Sequence, residues 1–565
     1  MIRGKLEEAI RNALERLGVP GASFAIDYPP SAMGADYATN AALAAGKLLG
    51  KPPREVAEAL RAVLMDAHSP HIETIEIAGP GFINFFLNKN YFAEIISTAR
   101  EEKWGRGDAL AGKKILVEYT DPNPFKEFHI GHLMSNAIGE SISRLLQGAG
   151  ASVKRANYQG DVGIHVAKAL WALMLKGWDP KNIASLGQAY VMGSTAYEDD
   201  PAAKAEIDAI NKKIYEKDPQ LFPMYLEGRR ASLDHFEMLY AILGTKFDLY
   251  FFESEVGERG KALVAEGLKK GVFEESDGAV IFRGERHGLH TRVFMNSAGL
   301  PTYEAKELGL VEAKKEKDSF DLSLVVTARE ISDYFKVVRA AAEELSPELA
   351  GKIAARFHGF MRLTTGKMSS RKGNVITGEA LIEDMIAAAK EKMADRGVDD
   401  VQKEKVARAV AVAAIKYSIL RQASEKDIVF DPEKSLSLEG DSGPYLQYAH
   451  TRAVSILRNA SAQGVAPVDL RPQGVALTQG SQGDTLLRLI SRFPEIVARA
   501  ANEYEPHHVA QYLTELASNF NSFYAKEKVL DGTDAAPMKL ALVDAVRQTL
   551  RNGLWLLGIE APEEM

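Results

Sequence analysis

Two histidines three residues apart, in His129-Ile130-Gly131-His132, open what reads as a helix directly after a strand and a proline-containing loop. The free N–H groups and the dipole at a helix N-terminus favour phosphate, and a glycine there lets a nucleotide lie against the backbone. Two imidazoles one turn apart can reach the same phosphate chain. Their part in a reaction would be electrostatic, stabilising charge on a phosphate rather than attacking it. A lone pair of this kind is as easily a surface or packing feature. Far downstream lies Thr365-Gly366-Lys367-Met368-Ser369-Ser370-Arg371-Lys372-Gly373-Asn374, a glycine-flanked basic loop able to close over a triphosphate. By itself it would read as a solvated turn.

The two loops need a scaffold that brings distant segments together. A buried-strand run, Ile115-Leu116-Val117, leads through a loop at Asp121 to Pro124 into a helix continuing to about Gln147, and a second strand follows at about Val153 to Tyr158. Strand, loop, helix and strand in that order predict a βαβ unit and hence an α/β protein with a Rossmann-like parallel sheet. Further strands are expected at Ala279 to Phe282 and Leu322 to Thr327. The polar, helical stretch from about Asp179 to Asp234 suits an insertion between the two halves of such a fold.

Upstream, a small α/β module is expected. It has an opening helix, helical spacing at Asp36 to Leu49 and at Pro53 to Asp66, alternation around Ile75 and Ile77, and a turn at Gly79-Pro80-Gly81 leading into Phe82 to Leu87. After Glu433 amphipathic segments at Tyr445 to Asn459, Gly483 to Ala501, Pro506 to Lys526 and Met538 to Leu557 predict an all-α helix bundle. Three domains are expected: residues 1–110, 111–432 with a helical insertion at about 179–234, and 433–565.

Composition bounds the chemistry. A chain of 565 residues exceeds what one core organises, and 46% hydrophobic with 26% charged residues is the balance of a soluble globular protein. The charged, amphipathic start from Met1 to Gly18 does not read as a signal peptide, and no membrane partner is expected. Without cysteine, disulfides, Cys-ligated zinc and thiol nucleophiles are excluded, and a cytoplasmic location is the default expectation. A net charge of −8 argues against indiscriminate coating of nucleic acid, but not against gripping a folded RNA through local patches.

Taken in order and spacing, His129-Ile130-Gly131-His132 and Lys367-Met368-Ser369-Ser370-Arg371 resemble the paired nucleotide motifs of class I aminoacyl-tRNA synthetases. The resemblance narrows to the arginyl-tRNA synthetases over nearly the whole chain. It is carried by Asp36-Tyr37-Ala38-Thr39-Asn40, Gly79-Pro80-Gly81-Phe82-Ile83-Asn84, Val117-Glu118-Tyr119, Pro122-Asn123 and Gly160-Asp161-Val162-Gly163, then by Tyr303-Glu304-Ala305-Lys306-Glu307 and the run from Glu439 to Ala449. It implies activation of L-arginine with ATP and Mg2+ to arginyl-adenylate, then transfer to the terminal ribose 2′-OH of tRNA(Arg). It also implies tRNA bound before activation, with no protein-held metal and no zinc. A monomer is expected.

By the same resemblance His129, His132, Lys367 and Lys126 would be catalytic, and His129, Gly131, His132, His358, Gly359, Lys367, Met368, Ser369 and Arg371 would bind ATP. The family's second lysine in the downstream loop is Ser370 here, and Lys126, Arg371 or Lys372 could supply its charge, Lys126 first among them. Glu118, Asn123, Asp161, Tyr303 and Glu307 would bind arginine. That suits a guanidinium, whose five planar donors need carboxylates beside an aromatic or amide neighbour. Each carboxylate could equally be an ordinary ion-pair member. Departures are Glu307 for the family's aspartate, Ile331 for a glutamine and His165 where glutamine is common.

For the tRNA, Phe82 and Asn84 would touch its elbow, the ring by stacking and the amide by reading a base edge, while Tyr524 and Met565 would lie near the anticodon. Phe82 could equally be core. Tyr448, Arg452 and Arg458 share a candidate helix in the bundle. The rival readings are a class I synthetase for another amino acid and a non-catalytic RNA-binding paralogue, against which His129, His132 and Lys367 speak.

Overall fold

A computed structural model describes residues 2–30, 34–66, 70–364, 377–393, 399–471 and 481–565. Lys367, Met368, Ser369 and Arg371, with Ser370 and Lys372, lie outside the described residues.

The centre is a five-stranded sheet, parallel throughout, in the order Ile353–His358, Leu322–Ala328, Lys114–Glu118, Ser152–Gln159, Leu249–Phe252. Ile115, Leu116 and Val117 are all buried, as are Leu324, Val325 and Val326, because a parallel sheet is covered on both faces and its inner strands lose the polar alternation of a one-sided sheet. The helix Ile130–Gly148 follows the strand Lys114–Glu118 and buries residues on nearly every face.

One expectation is corrected here, and one expected strand is assigned to its sheet. The helices Ile183–Asp199, Pro201–Tyr215 and Phe222–Leu243 lie between the second and third strands in sequence, inside the first half of the fold rather than between its halves. The segment joining the halves is instead the helix Glu253–Lys270, a small sheet and the helix Tyr303–Lys317. Ala279–Phe282 is a strand of that separate antiparallel three-stranded sheet, between Glu274–Ser276 and Arg292–Met295, and not of the parallel one. A four-residue apolar run carries no information about which sheet receives it.

The N-terminal module is a four-stranded antiparallel sheet, ordered Ile26–Asp27, Tyr37–Thr39, Phe82–Leu87, Ile72–Ala78, with helices Ile2–Arg16, Ala41–Leu49, Pro53–Asp66 and Lys89–Ala99. Helical spacing over Asp36 to Leu49 holds only from Ala41, since Tyr37–Thr39 pairs as a strand with Ile83 to Phe85. At the other end the helices Gly443–Ala462, Gln482–Glu503, His507–Lys526 and Ala536–Leu556 form the bundle. Between sheet and bundle the helices Gly378–Lys392 and Asp400–Leu420, and a short parallel pairing of Met361–Leu363 with Ile428–Phe430, were not anticipated from sequence. No helix among the described residues is long and apolar enough to cross a membrane.

The module and the bundle are joined by buried polar bonds. Glu495, buried on the helix Gln482–Glu503, accepts hydrogen bonds from the hydroxyls of Tyr28 (2.6 Å) and Tyr37 (2.9 Å) and from the backbone N–H of Arg3 (3.2 Å). Burial and the Glu495 charge push both tyrosine hydroxyls far above their ordinary range, so they remain protonated donors. Arg488 of the same helix pairs with the buried Asp36, and Trp104 Nε1–H donates to Thr549 Oγ1 at 3.1 Å. Removing the Glu495 carboxylate strands the hydroxyl of the buried Tyr37 and that of the half-buried Tyr28. Glu495→Ala is expected to lower stability by about 2–4 kcal/mol, read from urea unfolding. An unchanged midpoint would show that the docking of the two parts does not depend on this carboxylate.

Candidate active site

The chain runs outward in opposite directions from the adjacent strands Lys114–Glu118 and Leu322–Ala328, so a crevice opens at their carboxyl ends, where open α/β sheets bind ligands. The turn leaving the first of these strands is tightly held. Thr120, Asp121 and Phe125 have φ of 79°, 48° and 67°, a region that L-residues rarely adopt and a β-branched threonine least of all. Buried side chains fix it there. Ser135 Oγ accepts from Thr120 N–H (2.9 Å) and donates to the Val326 carbonyl (2.8 Å), stitching the turn to the neighbouring strand. Asn136 donates to Thr120 Oγ1, Asn157 to the Tyr119 carbonyl, and Phe125 N–H to Ser232 Oγ.

The turn delivers His129 to the N-cap of the helix Ile130–Gly148. Its Nδ1 accepts from the N–H groups of Gly131 (3.1 Å) and His132 (3.4 Å), while His132 Nδ1 accepts in return from His129 N–H (3.3 Å). The rings stack with centroids 3.6 Å apart. A Cβ on Gly131 would lie 3.0 Å from the His129 ring, so glycine leaves room for this arrangement. Burial first, then Lys126, depresses the His129 proton affinity; burial, His129 and Lys126 depress that of His132 further. Both rings are therefore neutral near pH 7, and with each Nδ1 accepting, each proton sits on Nε2. The pair offers two N–H donors at the positive end of a 19-residue helix. The ammonium of Lys126 lies 5.2 Å over the Tyr190 ring and its charge acts on both histidines.

The flank of the downstream basic loop is tied to the same place. Thr377 bridges His129, and Gly378 N–H donates to the Phe128 carbonyl at 2.6 Å. His358 ends the strand Ile353–His358, buried, its Nδ1–H donating to the Gly359 carbonyl at 2.8 Å. Gly359 packs against the backbone of Lys426, 2.4 Å from where a Cβ would stand.

An acidic group occupies the other side of the turn. Glu118, the last residue of its strand, is buried with Oε2 2.7 Å from the ammonium of Lys314, a lysine whose side chain is 1% exposed. The contact has ion-pair distance without hydrogen-bond direction. Burial first, then Glu118, raises the Glu307 carboxyl to about 7, with Lys314 opposing. Asp121 is raised well above the carboxylate range by burial and by Glu118. Neither Asp121 nor Lys314 was picked out from sequence. The signal for Lys314 is its spacing of seven from Glu307, two helical turns along one face. Asp121 stands two residues before Asn123 in the loop already singled out. The helix bearing Glu307 and Lys314 is set close to Glu253–Lys270, where a Cβ on Gly309 would fall 2.1 Å from the Val256 carbonyl.

Other expected arginine contacts divide. Asn123 Oδ1 accepts from Gly160 N–H at 3.1 Å, at the cleft. Tyr303 is 72% exposed at the start of its helix, on the rim, with the Lys306 ammonium 5.4 Å over its ring. Asp161 is fully buried, and its oxygens accept from Arg229 Nε–H (2.8 Å), Ser254 N–H (2.9 Å), Ser254 Oγ–H (2.8 Å) and the Tyr225 hydroxyl (3.3 Å), bracing the pocket wall. His165 donates through Nε2 to the Gly160 carbonyl at 2.8 Å, and burial followed by Lys126 lowers its proton affinity to about 4.

Of the residues expected at tRNA, Phe82 is 40% exposed at the head of its strand while Ile83 and Phe85 fill the core, so packing does not account for it. Asn84, two residues along the strand from Phe82, is buried in the sheet opposite Ala38 and Glu76. Tyr524 is 46% exposed, and Arg452 stacks on it at 5.1 Å and on Tyr448 at 4.8 Å. Met565 packs against the core at the end of a tail held by His450 and Thr451 through the Pro562 carbonyl.

The arrangement has relatives over its whole length. Residues 96–432 match the model for tRNA synthetases class I (R), catalytic domain; residues 4–87 match the arginyl tRNA synthetase N terminal domain, and residues 446–565 the DALR anticodon binding domain. The arginine–tRNA ligase of Limosilactobacillus reuteri is 31% identical over 566 residues, 99% of this chain and 98% of that one. That of Streptococcus mutans is 31% identical over 531 residues, 92% of each. The arginyl-tRNA synthetase of Thermus thermophilus superposes with a TM-score of 0.82 at 28% identity, covering all of both chains. That of Plasmodium falciparum shares the fold, with a TM-score of 0.82 at 20% identity over 100% of this chain and 99% of that one. With the matched segments spanning its length in order around this crevice, the chain belongs to the arginyl-tRNA synthetases, class I, ATP-dependent arginine–tRNA ligases.

Proposed function

We propose that His129 and His132, as neutral Nε2–H donors on a helix N-terminus, hold the phosphates of ATP and stabilise charge on the α-phosphate, with Lys126 supplying the cation that Ser370 does not. Glu118, Asn123, Tyr303 and Glu307 bind arginine. Gly131 lets the nucleotide approach the backbone, and His358 and Gly359 close the adenosine side. Lys367, Met368, Ser369 and Arg371 join them on the strength of the motif alone, with Mg2+ entering as part of the ATP complex. The observation that carries this reading is the reciprocal cap of His129 and His132, which fixes both tautomers beside the Glu118–Lys314 pair.

In the first step an arginine carboxylate oxygen bonds to the α-phosphorus and the bond to pyrophosphate breaks. The carboxylate is already a nucleophile, so alignment and charge neutralisation supply the rate. In the second, the 2′-hydroxyl of the terminal adenosine takes the arginyl group and AMP departs. Residues 1–110 would hold the tRNA elbow, through Phe82, residues 111–432 with the helical insertion at about 179–234 would catalyse, and residues 433–565 would hold the anticodon, through Tyr524 and Met565. All of these groups lie on one chain, which supports a monomer; a tRNA substrate supports a cytoplasmic location.

Replacing His132 by alanine removes one donor and one arm of the cap. Arginine-dependent pyrophosphate exchange, run with tRNA present, is expected to lose about 10²-fold in kcat, with arginine KM changed far less. A variant as fast as the parent would remove the histidines from the reaction.

The pH dependence of arginine binding follows from Glu307. Its carboxyl is raised to about 7, so it is ionised, and attractive to a guanidinium, only above that pH. Arginine affinity is therefore expected to fall by about tenfold from pH 8 to pH 6, with a proton released on binding. Calorimetry in buffers of different ionisation enthalpy measures both. Glu307→Gln should flatten the profile; an unaltered acidic limb in that variant would assign the titration elsewhere.

A further inference from the structure

We infer that Tyr190, on the helical insertion, is a positioning residue for the first step: its ring holds the Lys126 ammonium beside the histidine pair without neutralising it. The inference rests on the reading of Lys126 as the phosphate-binding cation.

The segment Phe125-Lys126-Glu127 carries the chain from the turn towards His129, and each of its side chains meets the insertion. The Phe125 ring stacks on that of Tyr225, with centroids 6.2 Å apart and 13° between the planes. A Cβ on Gly228 would stand 2.5 Å from the Phe125 ring, so a glycine there leaves room for the helix Phe222–Leu243 to come this close. Glu127 meets the helix Ile183–Asp199 at Gly187, where a Cβ would lie 3.2 Å from Glu127 Oε1. Tyr190 stands three residues further along that helix, on the same face. Its ring is partly buried against the apolar core of the insertion, with the Lys126 ammonium 5.2 Å from its centroid. The insertion thus grips the residues on either side of Lys126 and presents a ring to Lys126 itself.

A lysine has a flexible four-carbon stem and, left alone, spreads over many rotamers. A carboxylate beside it would hold it still but cancel its charge. A ring face attracts the ammonium through its quadrupole and leaves the whole positive charge to act outward. Among the described residues no carboxylate pairs with the Lys126 ammonium. Lys314 and Lys306, by contrast, are matched to Glu118 and Glu253. Burial is the first cause of the lowered proton affinity of His129 and His132, and the Lys126 charge adds to it in both, so that charge reaches both donors at the helix N-terminus.

A double-mutant cycle on the full-length protein, read by pyrophosphate exchange with arginine, ATP and tRNA present, tests this. Tyr190→Leu removes the ring and is expected to lower kcat/KM for ATP about fivefold, while the arginine KM stays near that of the parent. Tyr190→Phe keeps the ring face and should exchange as the parent does. Lys126→Met keeps the stem and removes the charge, and should slow exchange about tenfold or more. Adding Tyr190→Leu to Lys126→Met should cost nothing further, because the ring then has no cation to hold. Unfolding midpoints establish that each variant is folded, and Tyr190→Met carries the same comparison if the leucine variant is not. If Lys126→Met exchanges at the parent rate, Lys126 is not the phosphate-binding cation, and the inference falls with that reading. If Lys126→Met is slow, three results overturn the inference alone: Tyr190→Leu as fast as the parent, Tyr190→Phe as slow as Tyr190→Leu, or an equal loss from Tyr190→Leu with and without Lys126.

Discussion

Everything in the crevice depends on how the chain turns between Glu118 and His129. Three non-glycine residues there occupy left-handed backbone, each costing on the order of 1–3 kcal/mol. Buried hydrogen bonds to the hydroxyls of Ser135 and Ser232 and from the amides of Asn136 and Asn157 offset that cost. The result is geometric. One turn places carboxylates on the strand side and imidazoles at the helix end, so that a single constraint sets the relation between two opposite kinds of binding group.

The helix that starts at this turn also ties the site to the rest of the molecule. Its Glu140, fully interior, accepts from the hydroxyl of Tyr119 (2.6 Å), Arg144 (2.7 Å) and Arg155 (2.8 Å); burial opposes the charge, but the two arginines hold the carboxyl below its ordinary range. Arg144 continues to the carbonyls of Trp555 and Gly244, and Ser141 donates to that of Leu556. Lys416, lowered to about 7 by burial, donates to Leu243 and Gly558 carbonyls at the C-terminal ends of two helices. Tyr119 adjoins Glu118, so strand, helix and bundle share one continuous polar interior.

Much of this was legible in the residues. The apolar run at Ile115 to Val117 and the break into His129 gave strand, loop and helix because burial on both faces and a helix start leave local marks. The four bundle helices were readable from their amphipathic period. What the sequence hid was long-range. Ala279–Phe282 looks like any buried strand, and only its neighbours assign it to a separate sheet. Asp161 carries the same letters whether or not Arg229 and Ser254 surround it. Lys314 and Asp121 were overlooked because their meaning lies in which charges surround them, a property of folded space.

The two sides of the turn differ in how they hold charge, and the difference sorts ligands. At the helix N-terminus the backbone dipole and Lys126 already supply positive potential, so protonating His129 or His132 would add like charge in a desolvated place; the rings stay neutral and act through directed N–H bonds. At the strand end the Lys314 ammonium lies 2.7 Å from Glu118. If ATP and arginine bind as proposed, the anionic chain of one and the cationic side chain of the other are drawn to opposite ends of the same crevice, and their reacting ends meet between. Were the histidines cationic, the positive end would pull equally on any carboxylate in the cleft, including those of the pocket. Neutral donors avoid that competition, since a hydrogen bond acts only at contact distance whereas a net charge acts across the whole cleft.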